Sequence, residues 1–128
     1  MSLKIWKING LSLELDLEDA DIMERVENAF EAMKNDEDAI PKDGKASEQI
    51  RAYCGMFRKL YDNIFGDGTS EKIFKDVPTK TSSYDDVYIN FLEFVSSQKD
   101  DVARAKNEKL ARYRPNRQQK RAAAKKKK

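Results

Sequence analysis

The stretch IRAYCGMFRKLYDNIFGDGTSEKIF, residues 50–74, decides the fold. Ile50, Tyr53, Cys54, Phe57, Leu60, Tyr61, Ile64 and Phe65 recur at steps of three and four, which places them on one face of a helix. The pattern predicts a helix from Lys45 to Phe65 with Gly66 at its left-handed C-cap. Burial of each large side chain contributes roughly 1.5–3 kcal/mol, so this helix is expected to be the centre of the core. Thr69 or Ser70 is expected to cap a short helix running through Phe74, with Pro78 closing it.

Upstream, two apolar-rich runs, Leu3 to Ile8 and Leu11 to Leu15, flank Asn9-Gly10. A type I′ turn needs positive φ at both central positions, and Asn-Gly meets that need best. Leu11, Leu13 and Leu15 alternate with Ser12 and Glu14, the period of a strand with one buried face. The first run is divided, with Leu3 and Ile5 on one face and Trp6 and Ile8 on the other. A lone hairpin is marginal in water, so the leucine face is expected to pack on a helix.

Asp16 to Asp19 start a helix whose stripe is Ile22, Val26, Ala29, Phe30 and Met33, with the acids favouring its positive end. Asn35 to Gly44, rich in acids and carrying Pro41, reads as a loop. Downstream, Ser82 and Ser83 precede Asp85 and Asp86 by three residues, a loose capping box. The helix they open carries Tyr84, Val87, Tyr88, Phe91, Leu92, Phe94 and Val95 inward. Beyond Ser96 the apolar residues thin, and the helix is expected to run on, increasingly exposed, until Pro115. The fold class is therefore α+β, mainly α: an N-terminal β-hairpin followed by three main helices and a short connecting helix.

At 128 residues the chain fits one domain. Charge divides it into 1–111 and 112–128. The second segment holds nine Lys or Arg and no acid, which leaves 16 basic groups against 23 acidic ones, net −7, in the first. The segment 112–128 reads as a basic flexible tail and is the candidate interaction element, through Arg112, Arg114, Arg117, Lys120, Arg121, Lys125, Lys126, Lys127 and Lys128. Such a tail neutralises phosphates without reading sequence. Tyr113 is its one aromatic, so bases have little to stack on, and the acidic body repels a polyanion. A solvated end that aids solubility is the plain alternative.

Chemistry-bearing residues are scarce. There is no histidine, and one cysteine, Cys54, lies on the apolar face of its helix and reads as core. Neither a Ser-His or Cys-His pair nor a thiolate cluster for zinc can form within the chain. Gly66-Asp67-Gly68-Thr69-Ser70 lacks the Gly-Lys-Ser/Thr ending of a phosphate loop. Asp62, Asp67 and Glu71 miss the ligand spacing of a calcium loop. Tyr84, Tyr88, Phe91 and Phe94 sit at core spacing rather than on a stacking platform. No cofactor, metal or catalytic residue is expected, and the protein is not expected to be an enzyme. With no signal peptide, no apolar membrane span and a lone cysteine, it is expected in the cytoplasm.

Three segments carry a family resemblance: LSLELDLEDADIMERVENAF (residues 11–30), residues 50–74, and the ending YRPNRQQKRAAAKKKK (residues 113–128). The order of elements and these segments resemble the small tail assembly chaperone-like proteins of long-tailed phages and prophages of Gram-positive bacteria. The more specific pieces are Phe65 to Phe74 and Pro115 to Arg121. The resemblance implies a non-enzymatic factor that binds the tape measure protein, assists tail tube assembly with the major tail protein, and leaves the finished particle. It implies a homo-oligomer in the bacterial host cytoplasm. Many such phages make a longer product by ribosomal frameshifting near the end of the short frame, and Lys125 to Lys128 are compatible with an A-rich slippery stretch there. The rivals are a nucleic-acid-binding accessory protein acting through the tail, and a minor virion structural protein.

Overall fold

The computed structural model describes residues 4–113. Its elements, in chain order, are β1 (Ile5–Ile8), β2 (Leu11–Glu14), α1 (Ala20–Asp38), α2 (Ala46–Phe65), α3 (Thr69–Ile73) and α4 (Thr81–Tyr113). This is the expected mainly helical α+β order.

β1 and β2 pair antiparallel, with Trp6 opposite Leu13 and Ile8 opposite Leu11. Asn9 and Gly10 take φ values of 48° and 81°, as a type I′ turn requires. The register resolves the divided first strand. Trp6 and Ile8 share the inward face with the leucines, whereas Ile5 turns outward. Leu15 donates its N–H to the Lys4 carbonyl at 2.7 Å and is buried just beyond the strand.

α1 begins at an N-cap, Asp19, whose carboxylate accepts from the N–H groups of Asp21 and Ile22. Val26 and Ala29 are buried, and Ile22, Phe30 and Met33 pack at the edge of the core. The helix runs through Asp38, so residues 35–38 are helical and not loop as their acidity suggested. The acids lie on the solvated side, and Asp36 pairs with Lys59 of α2 at 3.6 Å. The stop comes at Pro41, since the residue before a proline disfavours helical backbone.

α2 packs against each of the other three helices, as its apolar face predicts. Cys54, Phe57, Leu60, Tyr61 and Ile64 are buried, joined by Met56 on the side facing α1. Ile50 is a correction: it is 38% exposed, because it sits near the start of the helix, ahead of the buried run that begins at Cys54. Gly66 has positive φ, 113°, but extended ψ, and the left-handed residue is Gly68 at φ 88°, ψ −9°.

Gly68, not Thr69 or Ser70, is the N-cap of α3. Ser70 is inside the helix and buried, and its N–H and Oγ both donate to the Asp62 carboxylate, at 2.8 and 3.0 Å. α4 starts one residue ahead of the expected serine caps, so Ser82 and Ser83 lie in its first turn. Asp85 accepts instead from the Tyr53 hydroxyl of α2.

The core centres on Trp6. Its ring lies 5.5 Å from Tyr61, 5.9 Å from Phe65 and 4.9 Å edge-on from Phe91, centroid to centroid. Its indole N–H donates to Asn90 Oδ1 at 2.8 Å. Gln98 of α4 fastens the hairpin exit: its Oε1 accepts from the Leu17 N–H at 2.8 Å and its Nε2 donates to the Leu15 carbonyl at 2.9 Å. Buried backbone groups need partners, and here a side-chain amide supplies what a third strand would.

Candidate interaction surfaces

The residues with chemical potential are spent on structure. Cys54 is buried, and burial pushes its thiol pKa up, with Arg58 opposing and Asp85 adding to the rise. A thiol in that setting is a poor nucleophile. In the Gly66–Ser70 loop the Asp62 carboxylate already takes the Ser70 N–H and hydroxyl, so this loop cradles its own anion. Among the described residues no group of three or more His, Cys, Asp or Glu is placed to hold a metal ion. No helix among them is long and apolar enough to cross a membrane.

The aromatics of α4 face the core. Tyr84 and Phe91 are buried, and Tyr88 and Phe94 are half-buried against it. Tyr84 stacks on Phe74 with centroids 4.0 Å apart and planes 1° off parallel. Arg58 lies at the edge of this pair, donating from Nε to the Tyr84 hydroxyl at 2.9 Å, with its guanidinium carbon 5.7 Å from the Phe74 centroid. Leu92 is the correction on this helix: it is 38% exposed, one residue past Phe91 and turned off the inward face.

The α2–α4 seam also carries a phenol whose titration is displaced. Tyr53 donates to Asp85, and its pKa is pushed up to about 12, first by burial and then by the Asp85 hydrogen bond and charge. The folded value lies above the ordinary 10.0, so folding favours the neutral phenol. That contribution is fully present below pH 10 and is lost as pH rises from 10 toward about 12. Tyr53→Phe should therefore flatten the fall of stability across that window, as read by urea melts against pH. Equal slopes for parent and variant would refute the assignment.

The sequence tail meets the described residues only at its start. Arg112 is in the last turn of α4 and exposed, so the helix extends past the boundary drawn at 111. Arg114, Arg117, Lys120, Arg121, Lys125, Lys126, Lys127 and Lys128 lie outside the described residues.

What remains is α4 itself, 33 residues and about 50 Å long at 1.5 Å per residue. Its first half is built into the core, and Gln98 is its last buried residue. From Lys99 to Tyr113 only Asp101, Val102 and Ala111 are partly covered, so this half forms an arm. Among the described residues, four of the six large exposed apolar side chains are on α4: Ile89, Leu92, Leu110 and Tyr113. The expected thinning of apolar residues beyond Ser96 holds, but Ile89, Leu92 and Leu110 follow a second, offset stripe that the inward spacing does not reveal.

Comparison with known proteins gives one positive finding. A profile described as "Family of unknown function (DUF6673)" matches residues 9–124. No curated protein and no solved structure matches the chain. The match runs from the hairpin turn through all four helices, and on that extent the chain belongs to this family of unknown function, DUF6673.

Proposed function

We propose that this protein is a non-catalytic assembly chaperone of phage tails, binding the tape measure protein and assisting tail tube assembly with the major tail protein. The observation that supports this reading is the α4 arm. A core-anchored helix that runs on past the core and leaves Ile89, Leu92, Leu110 and Tyr113 uncovered is a device for holding another chain. The resemblance of residues 11–30, 50–74 and 113–128 to tail assembly chaperones supplies the identity of that chain. In this reading the protein works in the cytoplasm of the bacterial host and is left behind by the finished particle.

The reading expects a gene for a long helical tape measure protein near this one, and the test is co-expression with that protein. The chaperone reading expects the tape measure protein to stay in the supernatant and to co-purify with this chain. A tape measure protein that is equally insoluble with and without this chain would sink the reading. Mass spectrometry of purified particles separates a virion component, which would be retained, from a chaperone.

A further inference from the structure

Ile89, Leu92, Leu110 and Tyr113 are 53%, 38%, 37% and 80% exposed, and they lie on one stripe of α4. From Ile89 the stripe steps through Leu92, Ser96, Lys99, Ala103, Lys106 and Leu110 to Tyr113 in alternating threes and fours. That is the repeat of a two-helix seam, which a partner helix covers by supercoiling along it. At Ile89 and Leu92 it runs beside the inward face of Tyr84, Phe91 and Val95, and it winds into line with that face only at Tyr113, about five turns past Val95, where the arm has left the core. We propose that a second copy of this chain covers the stripe, with the two α4 helices antiparallel.

Two features select this occupant. The first is the order of sizes along the stripe: large apolar residues stand at both ends and Ser96 and Ala103 in the middle. An isologous contact must be complementary to itself. Turned about a twofold axis level with Asp101, Leu92 meets Leu110 of the second copy and Ile89 meets its Tyr113. Ser96 and Ala103 then fall opposite Lys106 and Lys99, whose stems need room to cross the seam and bring their ammonium groups to water.

The second feature is charge. From Thr81 to Gln98 the helix carries Asp85, Asp86 and Glu93 and no Lys or Arg. From Lys99 to Tyr113 it carries five basic groups against three acidic ones. A parallel pair sets like halves together, whereas an antiparallel pair sets the acidic half of each copy beside the basic half of the other. In this arrangement Glu93, flanking the seam, lies next to Lys106 of the second copy. Each arm thus lies along the body of the other copy. The pairing rests on the same exposed side chains as the chaperone reading and gives them a different occupant; sedimentation of the chain alone tests the pairing, and co-purification with a tape measure protein tests the chaperone reading.

Sedimentation equilibrium of the full chain tests the proposal. The parent is expected to be a dimer at tens of micromolar. Leu92→Glu and Leu110→Glu should each weaken the dimer by at least about tenfold, because each places a charge in the seam twice. Ile50→Glu, at an exposed apolar site on α2, should leave it unchanged. Glu93→Lys should weaken pairing, and adding Lys106→Glu should restore it. Circular dichroism checks that every variant keeps its helices, as substitution of exposed residues allows. A parent that stays monomeric, or a dimer indifferent to Leu110→Glu, overturns the proposal. Failure of the charge exchange to restore pairing overturns the antiparallel register.

Discussion

Trp6→Ala is expected to cost about 3–5 kcal/mol of folding stability, the range for emptying a large aromatic site in a core. Domains of this kind have roughly 5–15 kcal/mol in total, so the variant should sit near the edge of unfolding. The size of the effect follows from position. Trp6 is the hairpin's main entry into the helical core, in contact with Tyr61, Phe65, Phe91 and Phe94 from two helices. No neighbour can swing across from the strand to fill the space. Asn90→Ala removes only the acceptor of the indole N–H at an exposed position that water reaches, and should cost about 0.5–1.5 kcal/mol. Urea melts of both variants make the comparison. A Trp6→Ala loss no larger than that of Asn90→Ala would mean that the hairpin is not part of the cooperative core.

Gln98→Leu is the second large effect expected. Leucine fills the volume but leaves the Leu17 N–H and the Leu15 carbonyl without their partner. Each orphaned group costs about 1–3 kcal/mol, so a loss of about 2–6 kcal/mol is expected. Gln98→Glu adds a pH signature with a definite sign. Protonated, the carboxyl reproduces both hydrogen bonds; ionised, it still accepts from Leu17 but repels the Leu15 carbonyl. Burial raises a carboxyl pKa above the usual value near 4.3. This variant should therefore approach the parent below about pH 4 and lose stability as pH rises above it. A stability difference from the parent that does not change with pH would refute the paired hydrogen-bond role.

The hairpin, α2 and the inward stripes of α1 and α4 were legible because each rests on a local signal: Asn-Gly between alternating runs, or apolar residues at helical steps. The errors have local causes as well. Ile50 and Leu92 fit a helical stripe by spacing, but spacing does not say how far along a helix its neighbours reach. The acids at 36–38 read as a loop by composition, while packing against α2 carries α1 to the proline. Gln98 was passed over because it is polar, although it continues the series Tyr84, Phe91 and Val95 toward the core. A polar residue at a core step is the signal for a buried hydrogen-bonding clamp. The exposed stripe was hidden for a related reason, since Leu92 was assigned inward and the remaining members looked sporadic. Within the basic tail, charge and composition are legible from the sequence, and only Arg112 and Tyr113 have a described place.

The hairpin's fastenings have a consequence for the order in which the protein is made. Its two strands leave the ribosome well before the groups that fix them. Asn9 bonds to the carbonyl of a residue 64 positions on, Trp6 to one 84 positions on, and the Leu15 carbonyl and Leu17 N–H to a glutamine 83 and 81 positions on. Such distant pairings close only after the intervening chain exists, and they slow folding as separation grows. The hairpin therefore cannot complete these bonds until α4 has been synthesised through Gln98, so a chain cut short before that residue would lack the fastening of its own hairpin.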